Sequence, residues 1–178
     1  MAYTTIDDPT IYFNTLLYTG TGSTNSVSGV GFSPDWVWIK NRDATDSHRV
    51  TDTVRGAAKE LYPNGTFAED PNGGLTSFDS NGFTLNSNTS YNGSSVKYAS
   101  WNWLAGSNAS NTDGDQTSTV SVSTTAGFSI CTFTEAGSAP YSFGHGLGVE
   151  PDMVWFKSRA SGSWQVYFKA LGSPSGKL

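Results

Sequence analysis

The stretch FSPDWVWIKNRD at residues 32–43 decides the fold class, and the chain repeats it in modified form as VEPDMVWFKSRA at residues 149–160. The second copy lies 117 positions further on and keeps the Pro-Asp, the second Trp, the Lys and the Arg. Flanking segments also correspond, since WQVYFKALG at 164–172 is the counterpart of HRVTDTVRG at 48–56. Recurrence of several segments in the same order indicates a repeated structural unit.

The repeat predicts a division of the chain into a complete β-sandwich unit, a polar linker and a partial second unit, at residues 1–106, 107–119 and 120–178. The linker, SNASNTDGDQTST, has no large apolar side chain and therefore nothing to place in a core. The partial unit either packs on the first unit or pairs with a neighbouring subunit, and a fragment of a longer chain is a third possibility. We favour assembly with a neighbouring subunit, because unpaired strands expose backbone and apolar surface.

The alternation within DWVWIK predicts a strand that is apolar on both faces. Trp36 and Trp38 point to one side, and Val37 and Ile39 point to the other. Such a strand suits the middle of a sheet that is covered on both sides. The segment YASWNWLAG, with its own alternating tryptophans, predicts a second strand of this kind.

Composition favours short strands joined by polar turns. Glycine is frequent at 20 residues, aromatic residues make up 13% and charged residues only 14% of the chain. The pair Asn81-Gly82 lies between two strand-like runs and predicts a hairpin. Only RGAAKELY at 55–62 has the content of a helix, of one or two turns. We predict an all-β, antiparallel, jelly-roll-like β-sandwich with one or two short helical turns.

The paired tryptophans have two interpretations, core packing between sheets or a flat platform on which a sugar ring stacks. The second unit replaces Trp36 by Met153, which fills core gaps well and offers no flat surface. Core packing is therefore the preferred role. It is assigned to Trp36, Trp38, Trp101, Trp103 and Trp155.

The net charge and the length of the apolar runs argue against a nucleic-acid partner and against insertion into a membrane. The net charge is −5 and the ten Lys and Arg are scattered, so a nucleic-acid partner is not expected. No run approaches the roughly 18 apolar residues of a membrane span, and the N-terminus does not read as a secretory signal. The single cysteine, Cys131, is predicted to be a buried, inert thiol within a strand.

Catalytic and metal-binding patterns are weak. The four Glu are not placed at alternate positions of a strand with another acid, as sandwich-fold glycosidases require. Two histidines and one cysteine do not compose a zinc site, and His145 is interpreted as a turn residue. Asp113 and Asp115 have the spacing of a calcium loop without the remaining ligands. No catalytic residue, no metal site and no cofactor is predicted.

A resemblance to a known protein family is carried by the segments PDWVWIK, GLTSFDSNGFTL and WNWLAG, in that order, and by the corresponding segments of the second unit. Through these segments the chain resembles the repeated domains of virion structural and tail-fibre proteins of tailed bacteriophages, notably marine and cyanobacterial ones. Those domains are described as similar to concanavalin A-like lectin/glucanase sandwiches. The resemblance covers nearly the whole chain and implies a jelly roll displayed on a virus particle. It carries over no catalytic residue, and the unfinished second unit departs from the pattern of whole copies.

Two functions follow as hypotheses. The first is a virion structural protein of tail-fibre, head-fibre or decoration type that forms a homo-oligomer, contacts other virion proteins, adheres to host-surface glycans and is assembled in the host cytoplasm. The alternative is a virion-associated enzyme that degrades polysaccharide. For adhesion, the loop NSNTSYNGSS at 86–95 supplies the predicted ligand-binding residues, with Tyr91 as the stacking group and Asn88 and Asn92 as hydroxyl partners; the alternative is an ordinary flexible loop.

Overall fold

The computed structural model describes residues 6–137 and 140–171, and the regular secondary structure of this part of the chain consists almost entirely of antiparallel strands. The helical elements described are α1 (Thr89–Asn92) and 3-10 turns at Pro9–Ile11 and Lys169–Leu171. The prediction of an all-β antiparallel sandwich with only short helical turns is confirmed. The strands are β1 (Phe13–Thr19), β2 (Asn25–Ser28), β3 (Trp36–Asn41), β4 (Arg49–Asp52), β5 (Leu75–Asp79), β6 (Gly82–Leu85), β7 (Lys97–Trp103), β8 (Ala109–Asn111), β9 (Ser118–Ser123), β10 (Phe128–Phe133), β11 (Met153–Phe156) and β12 (Gln165–Phe168).

A sandwich of two sheets forms the first unit. The central sheet has the order β1-β7-β3-β4, and the first outer sheet has the order β2-β6-β5. Apolar side chains from both sheets meet between them, joined by one from α1, and shield each other from water. The members of this core are Val27, Val37, Ile39, Leu75, Phe83, Leu85, Tyr91 and Tyr98.

The central sheet is covered on both faces, as the alternation in β3 and β7 predicts. Val37 and Ile39 are buried against the first outer sheet, whereas Trp36 and Trp38 alternate with them and are half-buried on the opposite face. In β7 the tryptophans follow the same alternation. Trp36, Trp38, Trp101 and Trp103 therefore form a second apolar face of the central sheet, which we call the Trp face.

The second unit packs on the Trp face. Its strands, together with β8 from residues 107–119, form a second outer sheet of order β10-β9-β8 and a two-stranded β11-β12 pair. The centroid of the Phe128 ring lies 6.3 Å from that of Trp36 and 6.1 Å from that of Trp103. The ring centroids of Trp155 and Trp38 lie 5.7 Å apart. The second unit thus has the first as a packing partner within the same chain, while pairing with a neighbouring subunit stays a prediction.

One local prediction needs correction. Residues 55–62 form turns instead of a helix, because Gly56 and Ala58 have φ of 98° and 63° and Glu60 and Leu61 form β-bridges. A helical turn occurs instead at α1, where the Asn88 side chain caps it by accepting from the Ser90 N–H.

Residues 107–119, predicted to be a linker, are mostly exposed but contribute β8, which pairs with β9.

The predicted hairpin around Asn81-Gly82 is present, with its turn one residue earlier. Asp79 pairs with Gly82, so Ser80 and Asn81 form the loop and Gly82 begins β6. Gly82 has φ of 152°, and a Cβ there would lie 2.0 Å from the Val27 carbonyl oxygen. Only glycine allows β2 and β6 to approach this closely.

We expect Phe83→Ala to lower the free energy of unfolding by about 3–5 kcal/mol, because it removes an aromatic ring from a closely packed core. Phe83 is 0% exposed, whereas Phe67 is 59% exposed. The matched variant Phe67→Ala should lower the free energy of unfolding by about 1 kcal/mol or less. Urea denaturation followed by tryptophan fluorescence measures both, and equal losses would contradict this placement of the core.

Candidate functional site

The loop predicted to bind glycans folds inward. Tyr91 is 1% exposed and its hydroxyl donates to the buried Glu60 carboxylate. Asn88 serves as the cap of α1. A ring without a free face cannot stack on a sugar, so the role predicted for Tyr91 does not fit this structure.

Asn92, the third predicted ligand residue, is fully buried, and its side chain forms hydrogen bonds that connect two loops. Its amide nitrogen donates to the carbonyl oxygens of Asn86 and Ser23. Its side-chain oxygen accepts from the Thr21 N–H at 2.8 Å and from the Asn25 amide at 3.0 Å. These bonds occupy the donors and acceptors that a sugar hydroxyl would need, so this role does not fit the structure either.

An open groove lies instead where the two units meet. We name it the Trp groove, and it has a volume of about 270 Å³. This is just below the lower end of the range of about 300–1,000 Å³ for small-molecule sites. The lining residues are Trp38, His48, Pro63, Asn64, Trp155, Trp164 and Val166.

The walls of the groove are equivalent residues of the two repeats. Trp155 corresponds to Trp38, and Trp164 corresponds to His48, in the alignment of the repeated segments. Trp38 contacts His48 edge-on at 5.6 Å, and Trp155 contacts Trp164 edge-on at 6.3 Å. The groove therefore arises from two related aromatic pairs that face each other across the boundary between the units.

One edge of the groove is polar and well positioned. The Trp38 Nε1–H donates to His48 Nδ1 at 2.9 Å, and the His48 backbone N–H donates to Asn64 Oδ1 at 2.9 Å. On the opposite wall, the Trp164 Nε1–H donates to the Tyr62 carbonyl oxygen at 2.8 Å. The rings are thus held in place by hydrogen bonds that leave their apolar surfaces available.

His48 is neutral near pH 7. Burial lowers the pKa of His48 below its usual 6.5, and the charge of Lys40 lowers it further. Because Nδ1 accepts from Trp38, the ring proton of the neutral imidazole is on Nε2. Among the described residues, neither His48 Nε2 nor Asn64 Nδ2 has a hydrogen-bond partner, so both are available as donors.

A second cavity, of about 430 Å³, lies beside the second outer sheet. It is lined by Asp115, Gln116, Thr117, Thr119, Thr132, Phe133, Thr134 and Arg159. The Arg159 guanidinium is already paired with Glu69, with Nη2 to Oε1 at 2.6 Å and Nε to Oε2 at 3.0 Å. Its charge therefore joins the two units and is not free for a ligand.

The buried carboxylate Glu60 is saturated by protein donors. Arg49, Tyr62 and Tyr91 all donate to it, and the Tyr62 hydroxyl also lies 3.4 Å from Asp70 Oδ2. Burial, followed by the nearby Glu60 charge, raises the pKa of both tyrosines. A carboxylate enclosed in this way has no access to substrate and is part of the interior packing.

The remaining sequence candidates have local structural contacts. Asp113 interacts with Asn111, and Asp115 Oδ2 accepts from the Ser142 hydroxyl at 2.9 Å. His145 Nδ1 accepts from the Leu147 backbone N–H. Cys131 is half-buried in β10, and burial raises the pKa of its thiol.

Residues 6–137 and 140–171 contain no group of three or more His, Cys, Asp or Glu side chains arranged to hold a metal ion. No helix within those limits has the length and hydropathy to cross a membrane.

Sequence reasoning missed His48, Asn64 and Trp164 as members of a site. The available signal was the alignment of the repeats, which puts His48 opposite Trp164 beside the matched Trp38 and Trp155.

Of the five tryptophans assigned to the core, Trp36, Trp38, Trp101 and Trp103 are half-buried on the Trp face. The core role predicted for Trp155 needs correction, because this side chain lies against Trp38 but is 43% exposed. Trp38 and Trp155 also line the groove.

A comparison with protein families finds one match, to a family described as "Domain of unknown function (DUF7483)", over residues 8–178. No curated protein and no solved structure matches the chain.

We expect the Trp38 indole N–H resonance to titrate with His48, at a midpoint below pH 6.5. Protonation of Nδ1 removes the acceptor of this N–H. Because the folded-state pKa is depressed, this contribution to stability is complete above pH 6.5 and is lost as pH falls through the folded pKa. NMR titration measures the midpoint, and denaturation at each pH measures the stability.

His48→Gln should abolish this titration, and the control His145→Gln should retain it. A midpoint at or above pH 6.5 in the wild-type protein would contradict the packing of the His48 ring.

Proposed function

The chain belongs to the family described as a domain of unknown function (DUF7483), and we propose for it the role of a virion structural protein of tailed-phage type that adheres to host-surface glycans through the Trp groove. The observation that carries the proposal is the groove itself, an aromatic cleft with hydrogen-bond donors at one edge. The protein acts on the particle, after assembly in the host cytoplasm, together with other virion proteins. The resemblance of the repeated segments to phage fibre-type domains supports this setting.

Glycan adhesion fits the chemistry of the Trp groove. A pyranose ring presents an apolar face of C–H groups and a rim of hydroxyls, so it complements a site with aromatic walls and a polar edge. Trp155 is 43% exposed, which leaves ring surface available to a ligand. Binding at one groove is weak, and many copies on one particle multiply it.

Binding is favoured over hydrolysis by the placement of the acids. Glycoside hydrolysis needs two carboxyl groups that flank the scissile bond. In the described part of the chain, the Trp groove is lined by no acidic side chain and the second cavity by Asp115 alone. The adjacent Glu60 and Asp70 are not an alternative, because Glu60 is enclosed by its donors.

Assembly is favoured by the β11-β12 pair. Met153 and Phe168 are paired across these strands and both are exposed, as is Val149 nearby in sequence. Among the described strands, β11 and β12 pair only with each other, so each has a free edge. Exposed apolar side chains next to unpaired strand edges are typical of surfaces that other chains cover.

We expect Trp155→Ala to weaken glycan binding by at least about tenfold, equal to about 1.4 kcal/mol, because one wall of the groove is lost. The control is Phe156→Ala, the adjacent residue on the opposite side of β11, which is 37% exposed and does not line the groove. A glycan array identifies ligands, and calorimetry gives the affinities. Absence of binding across the array, or equal losses for both variants, would contradict adhesion at this groove.

Incubation of the protein with host polysaccharide should release no reducing ends. Release above the level of a heat-inactivated sample would favour the alternative function, a virion-associated polysaccharide-degrading enzyme.

We expect the protein to sediment as a homo-oligomer. The double variant Met153→Ser/Phe168→Ser removes apolar surface from the β11-β12 pair and should shift the sedimentation coefficient toward that of a monomer, with an unchanged circular dichroism spectrum. A wild-type protein that is monomeric at all concentrations tested would contradict assembly through this surface.

A further inference from the structure

The polar edge of the Trp groove offers more donors than acceptors. Asn64 Oδ1 accepts from the His48 N–H, and His48 Nδ1 accepts from the Trp38 indole N–H. What remains is the Nε2–H of His48, the Nδ2 amide of Asn64 with its two N–H groups, and one lone pair of Asn64 Oδ1. A ligand group that only accepts therefore matches this edge better than a hydroxyl, which also has a proton to donate.

We propose that the Trp groove selects an N-acetylated hexosamine, whose acetamido carbonyl accepts from His48 and Asn64; this inference rests on the proposed glycan adhesion. A carbonyl oxygen accepts two hydrogen bonds and donates none, so it matches an edge on which donors predominate. The acetamido methyl group adds apolar surface next to the indoles of Trp155 and Trp164, which a plain hydroxyl does not.

Charge favours an acetamido carbonyl over a carboxylate. Among the described residues, the groove is lined by no Lys or Arg. The nearby Lys40 ammonium donates to the carbonyl oxygens of Asn41 and Ala44, and its repeat equivalent Lys157 donates to Ser158 and Ala160. A carboxylate in the groove would lose hydration without a cationic side chain in the groove wall to pair with, whereas a neutral carbonyl loses much less.

The size of the groove agrees with a single substituted ring. A volume of about 270 Å³ accommodates one sugar residue in contact with the indoles. Neighbouring residues of an oligosaccharide then extend into solvent. Selectivity is therefore expected to depend on the substituent of one ring and not on chain length.

The inference is tested by calorimetry with chitotriose and cellotriose, which differ in carrying an acetamido group or a hydroxyl at C2. We expect chitotriose to bind at least about tenfold more tightly. Asn64→Asp keeps the oxygen that accepts from His48 but replaces the Nδ2 donor by a carboxylate oxygen, and it should reduce the preference to near unity.

Asn81→Asp is the matched control. Asn81 is exposed, its Oδ1 accepts from the Gly31 N–H, and it lies in the β5–β6 turn outside the groove. This variant makes the same change of charge and should leave the preference for chitotriose unchanged. An equal loss in both variants would assign the effect to net charge and overturn the inference.

A trigalacturonate arm tests the charged alternative. If it binds more tightly than chitotriose, or if cellotriose and chitotriose bind equally, the acetamido inference is overturned while glycan adhesion stands. The same holds if other glycans on the array bind and chitotriose does not. If no glycan binds at all, the proposed function and the inference both fail.

Discussion

The contact between the Trp face and the second unit is the constraint on which the rest of the structure depends. A strand such as β3, apolar on both sides, cannot leave one side in water without a large cost. Phe128 covers Trp36 and Trp103, and Trp155 covers Trp38. Each aromatic buries roughly 150–250 Å² when fully enclosed, so these contacts are among the largest apolar contributions outside the core. The central sheet is therefore stable as the middle of three layers and not as one side of two.

The repeated phrase is explained by what its residues do at equivalent places. The ammonium groups of Lys40 and Lys157 both fold back onto carbonyl oxygens of the turn that follows their strand. The carboxylate of Asp35 accepts from the Thr53 hydroxyl and the Ala105 N–H, and so fixes the entry of β3. Arg159 departs from this equivalence, since it binds Glu69 of the first unit. The two copies thus share the fold-back of the lysine onto its turn, whereas the contact of Arg159 with Glu69 joins the two units.

Strand alternation in β3 and β7 could be predicted from sequence because it depends only on neighbouring residues. The role of the Asn-rich loop could not, because Asn92 is buried by partners about 70 positions away, at Thr21, Ser23 and Asn25. The helix expected at 55–62 failed for a similar reason. Leu61 pairs with Val50 and Glu60 binds Arg49, and these tertiary contacts outweigh a weak local propensity. The groove required the spatial meeting of two repeats, which their alignment alone does not provide.

Hydrogen-bond saturation separates structural polar groups from those that remain available to a ligand. Glu60 is the most enclosed acid of the first unit, yet Arg49 and two tyrosines already donate to it. A substrate cannot reach this carboxylate, and its hydrogen bonds to these donors already satisfy it. His48 and Asn64 are the reverse case, because each uses one polar atom in a hydrogen bond within the groove and keeps one polar nitrogen without a partner among residues 6–137 and 140–171. Groups that are already held in place bind a ligand at a lower entropy cost than groups that must first be ordered. The groove, and not the buried acid, therefore offers unpaired polar groups.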